Sequence, residues 1–148
     1  MSLRPRATII VEVNGEIVLT EDRHDRILLP GGGIHAGEPP LAAAVRELHE
    51  ETALVAVQAL YLFEHASDTN RHHVFWIAAQ GKPVAGDDAV RLHYLAASAL
   101  PDLPGMSPAT KQIIASFREL RREFAPLFAH LADSSLEQWV WRSSGNCR

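Results

Sequence analysis

From Ala7 to Val13 the chain reads Ala-Thr-Ile-Ile-Val-Glu-Val, and after Asn14-Gly15 a second β-branched run follows over Glu16-Ile17-Val18-Leu19-Thr20. Two such runs joined by Asn-Gly predict a β-hairpin, because both turn residues tolerate the positive φ that a tight hairpin turn requires. A charged loop, Glu21 to Arg26, leads to the short apolar strand Ile27-Leu28-Leu29, which Pro30 stops. The three glycines Gly31, Gly32 and Gly33 then argue against a strand or helix interior, since glycine loses the most backbone freedom on ordering.

A helix is expected from Pro40 to Thr52, with proline in the first turn, where its missing N–H has no partner to lose. Leu41, Ala44, Val45 and Leu48 recur at spacings of three and four and predict the buried stripe. Glu47, Glu50 and Glu51 recur in the same way on a neighbouring face. Two further strands are expected over Val55–Glu64 and His73–Ala79, joined by the polar turn Ser67-Asp68-Thr69-Asn70. On the second of them Phe75 and Trp76 are neighbours and must point to opposite faces, so only one could stack on a base.

Gly81 to Asp88 reads as a loop, Arg91 to Ala96 as a last strand, and Leu100 to Gly105 as a proline-broken connection. Ser107-Pro108 supplies an N-cap and a first-turn proline for a closing helix that buries Ile113, Ile114, Phe117 and Leu120. The back of that helix, Arg118, Glu119, Arg121, Arg122 and Glu123, is expected to face solvent. Pro126 interrupts the pattern. Residues 125–148 read as a C-terminal extension with a short helix around Leu136 to Trp141, whose Trp139 and Trp141 cover the chain's own core or a partner. The order of elements indicates a single mixed α/β domain spanning residues 1–148.

Composition narrows the functional classes. The 148 residues carry 14 Lys plus Arg against 18 Asp plus Glu, a formal charge of -4, and contain no basic stripe able to neutralise many phosphates of a duplex. Long nucleic acid is therefore not an expected partner. No apolar stretch is long enough to span a bilayer or to serve as a signal-peptide core. Cys147 is the single cysteine, so no intrachain disulfide can form. A cytoplasmic protein is expected, and a homodimer stays open.

Glu47, Glu50 and Glu51 sit at i, i+3 and i+4, where like charges repel. Either they are solvated or a cation holds them together, and the glycine-rich turn just upstream offers bare backbone to an ion or to phosphate oxygens. Carboxylate oxygens of this kind suit Mg2+ or Mn2+.

Gly32, Glu38, Arg46-Glu47-Leu48, Glu50-Glu51 and the apolar Leu54 together resemble the box that marks the Nudix (MutT-like) hydrolases. The resemblance implies a Nudix-type α/β/α sandwich with a mixed sheet between helices. It further implies that Glu47, Glu50 and Glu51 bind the divalent metal and that one of them also orders or deprotonates the attacking water. Gly31 would offer its backbone carbonyl, while Arg46 and Glu38 would fix the carboxylate rotamers. A fourth acidic ligand is expected outside the box, with Asp87 and Asp88 on the favoured loop and Glu64 as a weaker candidate.

Arg23 and Arg26 are candidate phosphate contacts. Two departures stand out: Ala53 occupies a position that is usually glycine, and His35 one that is often acidic. The implied reaction is Mg2+-dependent hydrolysis of a nucleoside diphosphate linked to another group. No proline lies sixteen residues beyond Leu54, and Tyr61 is the single tyrosine of Val55–Gly81. Because members of the family it resembles often carry a proline at about that distance when they act on ADP-ribose, and a tyrosine when they act on dinucleoside polyphosphates, the resemblance disfavours both substrates. A nucleoside triphosphate, modified or not, remains, cleaved to nucleoside monophosphate and pyrophosphate. The competing readings are a catalytically silent nucleotide-sensing domain, a prenyl diphosphate isomerase, which would need a cysteine elsewhere than position 147, and a purely structural protein.

Overall fold

The computed structural model describes residues 2–131. In chain order the elements are β1 (Arg4–Val13), β2 (Glu16–Glu21), β3 (Ile27–Leu28), β4 (Gly31–Gly33), α1 (Pro40–Thr52), β5 (Val55–Ala66), β6 (Asn70–Gln80), β7 (Arg91–Leu95) and α2 (Pro108–Glu123). Residues 125–131 are helical again. The expected helix over Leu136–Trp141, with Trp139, Trp141 and Cys147, lies outside the described residues.

β1 is the branch point of the mixed sheet. Along one edge it pairs in parallel with β6, from Arg4 opposite Asn70 to Val11 opposite Ile77. On the other edge Arg6, Ala7 and Thr8 pair antiparallel with β4, and Glu12 and Val13 with β2. The hairpin turn is as expected, with Asn14 and Gly15 both at positive φ (52° and 79°). β2 continues to β3 and β7, and β5 closes the far side against β6.

A helix lies on each face. Ala43, Ala44 and Leu48 of α1 pack with Ile9, Val11, Phe75 and Ile77 in one cluster. Ile113, Ile114 and Phe117 of α2 pack with Ile10, Val74, Trp76 and Phe128 in the other. The result is an α/β/α sandwich. Phe75 and Trp76 do take opposite faces, but both are buried, so each is a core residue.

Three expectations are corrected. The glycines Gly31–Gly33 form strand β4, not a turn, and two of them have no room for a side chain: a Cβ on Gly31 would clash with the Ala7 carbonyl, and one on Gly32 with the Glu47 carboxylate. Of the expected buried stripe of α1, Ala44 and Leu48 are buried and Leu41 and Val45 are not. The buried residues of the helix are Ala43, Ala44, Glu47, Leu48, Glu51 and Thr52. Two carboxylates thus take the place of aliphatic side chains against β4, which rotates the helix relative to its apolar periodicity.

The back of α2 is not wholly solvated either. Arg121 pairs with Glu12 of β1, and Arg118 Nη2 donates to the Ala96 carbonyl at 2.9 Å. At its start α2 has the expected cap, with Ser107 Oγ accepting from the Thr110 N–H at 3.1 Å.

Candidate active site

α1 carries the carboxylates because Pro40 in its first turn and Ala53 at its end set its limits. Ala53 adopts left-handed geometry (φ 62°, ψ 1°) and donates its N–H to the His49 carbonyl at 2.9 Å. The loop Gly81–Asp88 then folds back over this end of the helix. Val84 N–H donates to Thr52 O at 2.9 Å and Gly86 N–H to Glu51 O at 3.0 Å. Gly86 approaches so closely that a Cβ there would lie 2.7 Å from the Glu50 carbonyl. This docking delivers the next residue, Asp87, to the carboxylate face. Ligand atoms of Glu47, Glu50 and Asp87 lie within 4.8 Å of one another.

Glu51 points elsewhere. Its Oε2 accepts the Gly31 N–H at 3.1 Å. Burial pushes its carboxyl up to about 7, outweighing the Gly31 N–H and the charge of Arg6, which both favour the ionised form.

Arg46 ties the cluster together. It donates to both oxygens of Glu38 at 2.9 Å, to Glu47 Oε1 at 2.8 Å, to Glu50 Oε2 at 3.3 Å and to the Gly33 carbonyl at 3.2 Å. These hydrogen bonds, together with the His35 N–H, hold the Glu38 carboxyl down to about 2. A planar guanidinium can bind one carboxylate with two donors and still reach a second, which a lysine cannot do. All the oxygens gathered here are hard donors, so Glu47, Glu50 and Asp87 are chemically suited to a Mg2+ or Mn2+ ion.

A cleft of about 840 Å³ is bordered by Gly33, whose carbonyl accepts from Arg46, and by the N-terminal turn of α2. Arg4, Arg6 and Arg26 line it, as do Thr8, His72 and Ser67. His72 is buried and shares a 2.8 Å hydrogen bond with Thr8 Oγ1. Burial lowers its pKa to about 4, so it is neutral near pH 7.

The fold and the box find their counterparts among known proteins. The NUDIX domain family profile matches residues 2–117. The chain belongs to the Nudix hydrolase family. This Nudix domain is similar in structure to a Nudix hydrolase family member from Chromobacterium violaceum, with a TM-score of 0.78, 28% identity, and 92% of this chain and 94% of that one covered. It shares its fold with a MutT Nudix hydrolase from Burkholderia pseudomallei, at TM-score 0.63 and 21% identity over 78% of this chain and 98% of that one.

Among curated proteins, an RNA pyrophosphohydrolase of Brucella abortus (strain 2308) is 43% identical over 58 residues, which are 36% of this chain and 31% of that protein. The chain thus spans about a third of the length of the curated relatives it matches.

The remaining candidates from the Nudix pattern are dispersed. Asp88 faces away from the cluster toward Arg23, at 3.7 Å between two exposed side chains. Arg26 binds Asp22 at 2.8 Å while also reaching the cleft. Glu64 pairs with Arg71 across β5 and β6 at 3.2 Å. His35 is exposed, 3.8 Å from Glu38. Gly31 lies beside Glu51 through its N–H.

Sequence reasoning missed Arg6, Gly86 and the His72 wall. The signal for Arg6 was a cation directly before the apolar run of β1, two residues after Arg4, and its place beside β4 shows only once β4 is seen to pair with β1.

Proposed function

We propose that this chain is a divalent-metal-dependent pyrophosphohydrolase that cleaves a nucleoside triphosphate, modified or not, to a nucleoside monophosphate and pyrophosphate. The observation that carries this reading is the convergence of Glu47, Glu50 and Asp87, the first two held by an Arg46 that also reaches Gly33 at the border of a cleft lined by arginines. Carboxylates gather a cation, and arginines complement the anionic phosphates on its other side.

Glu47, Glu50 and Asp87 would hold the metal, joined by the Gly31 carbonyl and by Glu51 where the ion reaches them. When bound, the cation supplies charge neutralisation of the anhydride oxygens and acidifies a coordinated water. Arg46 orients Glu47 and Glu50 and is itself oriented by Glu38. Gly32 leaves room for the Glu47 carboxylate. The Gly31 N–H fixes Glu51 in place, ready to accept a proton or a ligand role. One water molecule adds across one phosphoanhydride, giving two phosphorylated products.

A second reading is hydrolysis at a triphosphorylated RNA 5′ end, favoured by the segment shared with the Brucella pyrophosphohydrolases. Both readings are tested by release of phosphate or pyrophosphate, with and without Mg2+, across nucleoside triphosphates, oxidised nucleotides, nucleotide sugars and triphosphorylated RNA. Metal-dependent turnover that Glu50→Gln abolishes supports the proposal, and the best substrate decides between the readings. A folded protein that binds nucleotides but turns over none of them would instead be a sensor.

A further inference from the structure

Arg6 is the least explained charge in the described part of the molecule. It heads the buried run of β1 opposite Gly33 of β4 and His72 of β6. Its guanidinium has five N–H donors. Among the described residues its single hydrogen bond is a long one, from Nη2 to the Leu29 carbonyl at 3.4 Å. Burial lowers its pKa, while the charges of Glu51 and Glu47 raise it. A half-buried cation with most of its donors unfilled is costly unless something completes its hydrogen bonds. Arg6 is one of the residues that line the 840 Å³ cleft.

We propose that Arg6 is a phosphate-binding residue and that the cleft beside it holds the nucleoside monophosphate portion of the substrate. The proposal rests on the nucleotide-hydrolase reading and assigns the phosphate's anchor within it. Phosphate oxygens match the planar fork of a guanidinium and would fill two donors at once. Arg6 lines the cleft and is close enough to Glu51 and Glu47 for their charges to act on it, so it links the cleft to those carboxylates. The groups next to Arg6 on the same face of the sheet are uncharged: Thr8, neutral His72 and Ser67 form a hydrogen-bonded chain, with His72 Nε2 3.3 Å from Ser67 Oγ. Besides Arg6, the charged side chains lining the cleft are Arg4, Arg26 and Asp68, which leaves a nucleoside the uncharged stretch formed by Thr8, His72 and Ser67.

The test compares a nucleoside with its 5′-monophosphate, using adenosine with AMP and guanosine with GMP. Calorimetry is run on the full chain in EDTA and again in excess Mg2+. In the wild type the monophosphate should bind about ten-fold or more tighter than its nucleoside. In Arg6→Gln that preference should collapse to about unity while nucleoside binding persists, and Arg6→Lys should restore part of it.

Because removal of Arg6 leaves Glu47 and Glu51 less balanced and could unfold the protein, the wild type supplies a second readout. On titration with AMP, the Arg6 Nε–H resonance, assigned by its loss in Arg6→Lys, should shift. An unchanged preference in folded Arg6→Gln, or an Arg6 resonance that AMP does not move, overturns the proposal while leaving hydrolysis by the wild type intact. A wild type that neither binds nor hydrolyses any nucleotide overturns both.

Discussion

The Arg46 guanidinium grips Glu38 through two hydrogen bonds of 2.9 Å and, from the same plane, reaches Glu47 at 2.8 Å. A residue of the loop before α1 thereby fixes the rotamer of a carboxylate inside it. Loss of a group that orients a metal ligand typically costs about 10- to 100-fold in metal affinity or activity. Glu38→Gln should fall in that range, with the loss visible as a higher Mg2+ concentration at half-maximal turnover. Arg46→Lys should not rescue function, because an ammonium cannot make the paired contact. Wild-type Mg2+ dependence in Arg46→Lys would show that the bidentate geometry is dispensable.

Asp87 and Asp88 are adjacent, yet the fold treats them differently. Asp87 joins Glu47 and Glu50, and Asp88 faces Arg23 in solvent. Asp87→Asn removes one charge from a hard-cation site and should weaken Mg2+ binding on the order of ten-fold. Asp88→Asn disrupts only an exposed pair of small energetic weight and should leave Mg2+ binding unchanged. Calorimetric Mg2+ titration of the two variants separates them. Equal effects, or the reverse order, would sink the assignment of Asp87.

How much of this was legible beforehand depends on the physical scale of each feature. The Asn14-Gly15 hairpin and the Ser107 cap are local events, decided by two or three residues, and both were readable. The limits of α1 were readable for the same reason. Its buried face was not, because Glu47 and Glu51 interrupt the apolar period while Leu41 and Val45 extend it toward solvent. Carboxylates are buried there only because β4 passes as bare glycine backbone, and that is a tertiary fact. Gly31–Gly33 illustrates the same limit, since its strand character comes from pairing with Arg6, Ala7 and Thr8 and not from glycine's own preference. The choice of Asp87 over Asp88 required the contact of Gly86 with the end of α1, which one sequence does not reveal.

Ala53 carries a cost that a single substitution should relieve. It holds φ at 62° in the left-handed region, where a Cβ is disfavoured by about 1 kcal/mol relative to glycine. Ala53→Gly keeps the N–H bond to His49 O and removes that cost, so unfolding free energy should rise by up to about 1 kcal/mol, or roughly 3 °C in Tm. Turnover should stay near wild type, because no ligand is altered. A Tm that falls in Ala53→Gly would mean that the turn draws stability from the alanine methyl.

His72 and Glu51 should pull the stability of the metal-free protein in opposite directions with pH. His72 has its folded pKa lowered by burial to about 4 from 6.5, so between those values the unfolded chain binds a proton that the folded one does not. Its contribution is therefore fully present above about pH 6.5 and is lost as pH falls toward 4. Glu51 has its folded pKa raised to about 7 from 4.5, so in that window the folded chain binds the extra proton. Its ionisation thus removes stability as pH rises from 4.5 to 7. Denaturant unfolding at about pH 5 and about pH 7.5 resolves the two. His72→Gln should lose less stability than the wild type on acidification, and Glu51→Gln should lose less on going to the higher pH. An acid response in His72→Gln identical to the wild type would show that His72 takes up its proton equally well in the folded and unfolded chain, so that burial does not hold it neutral.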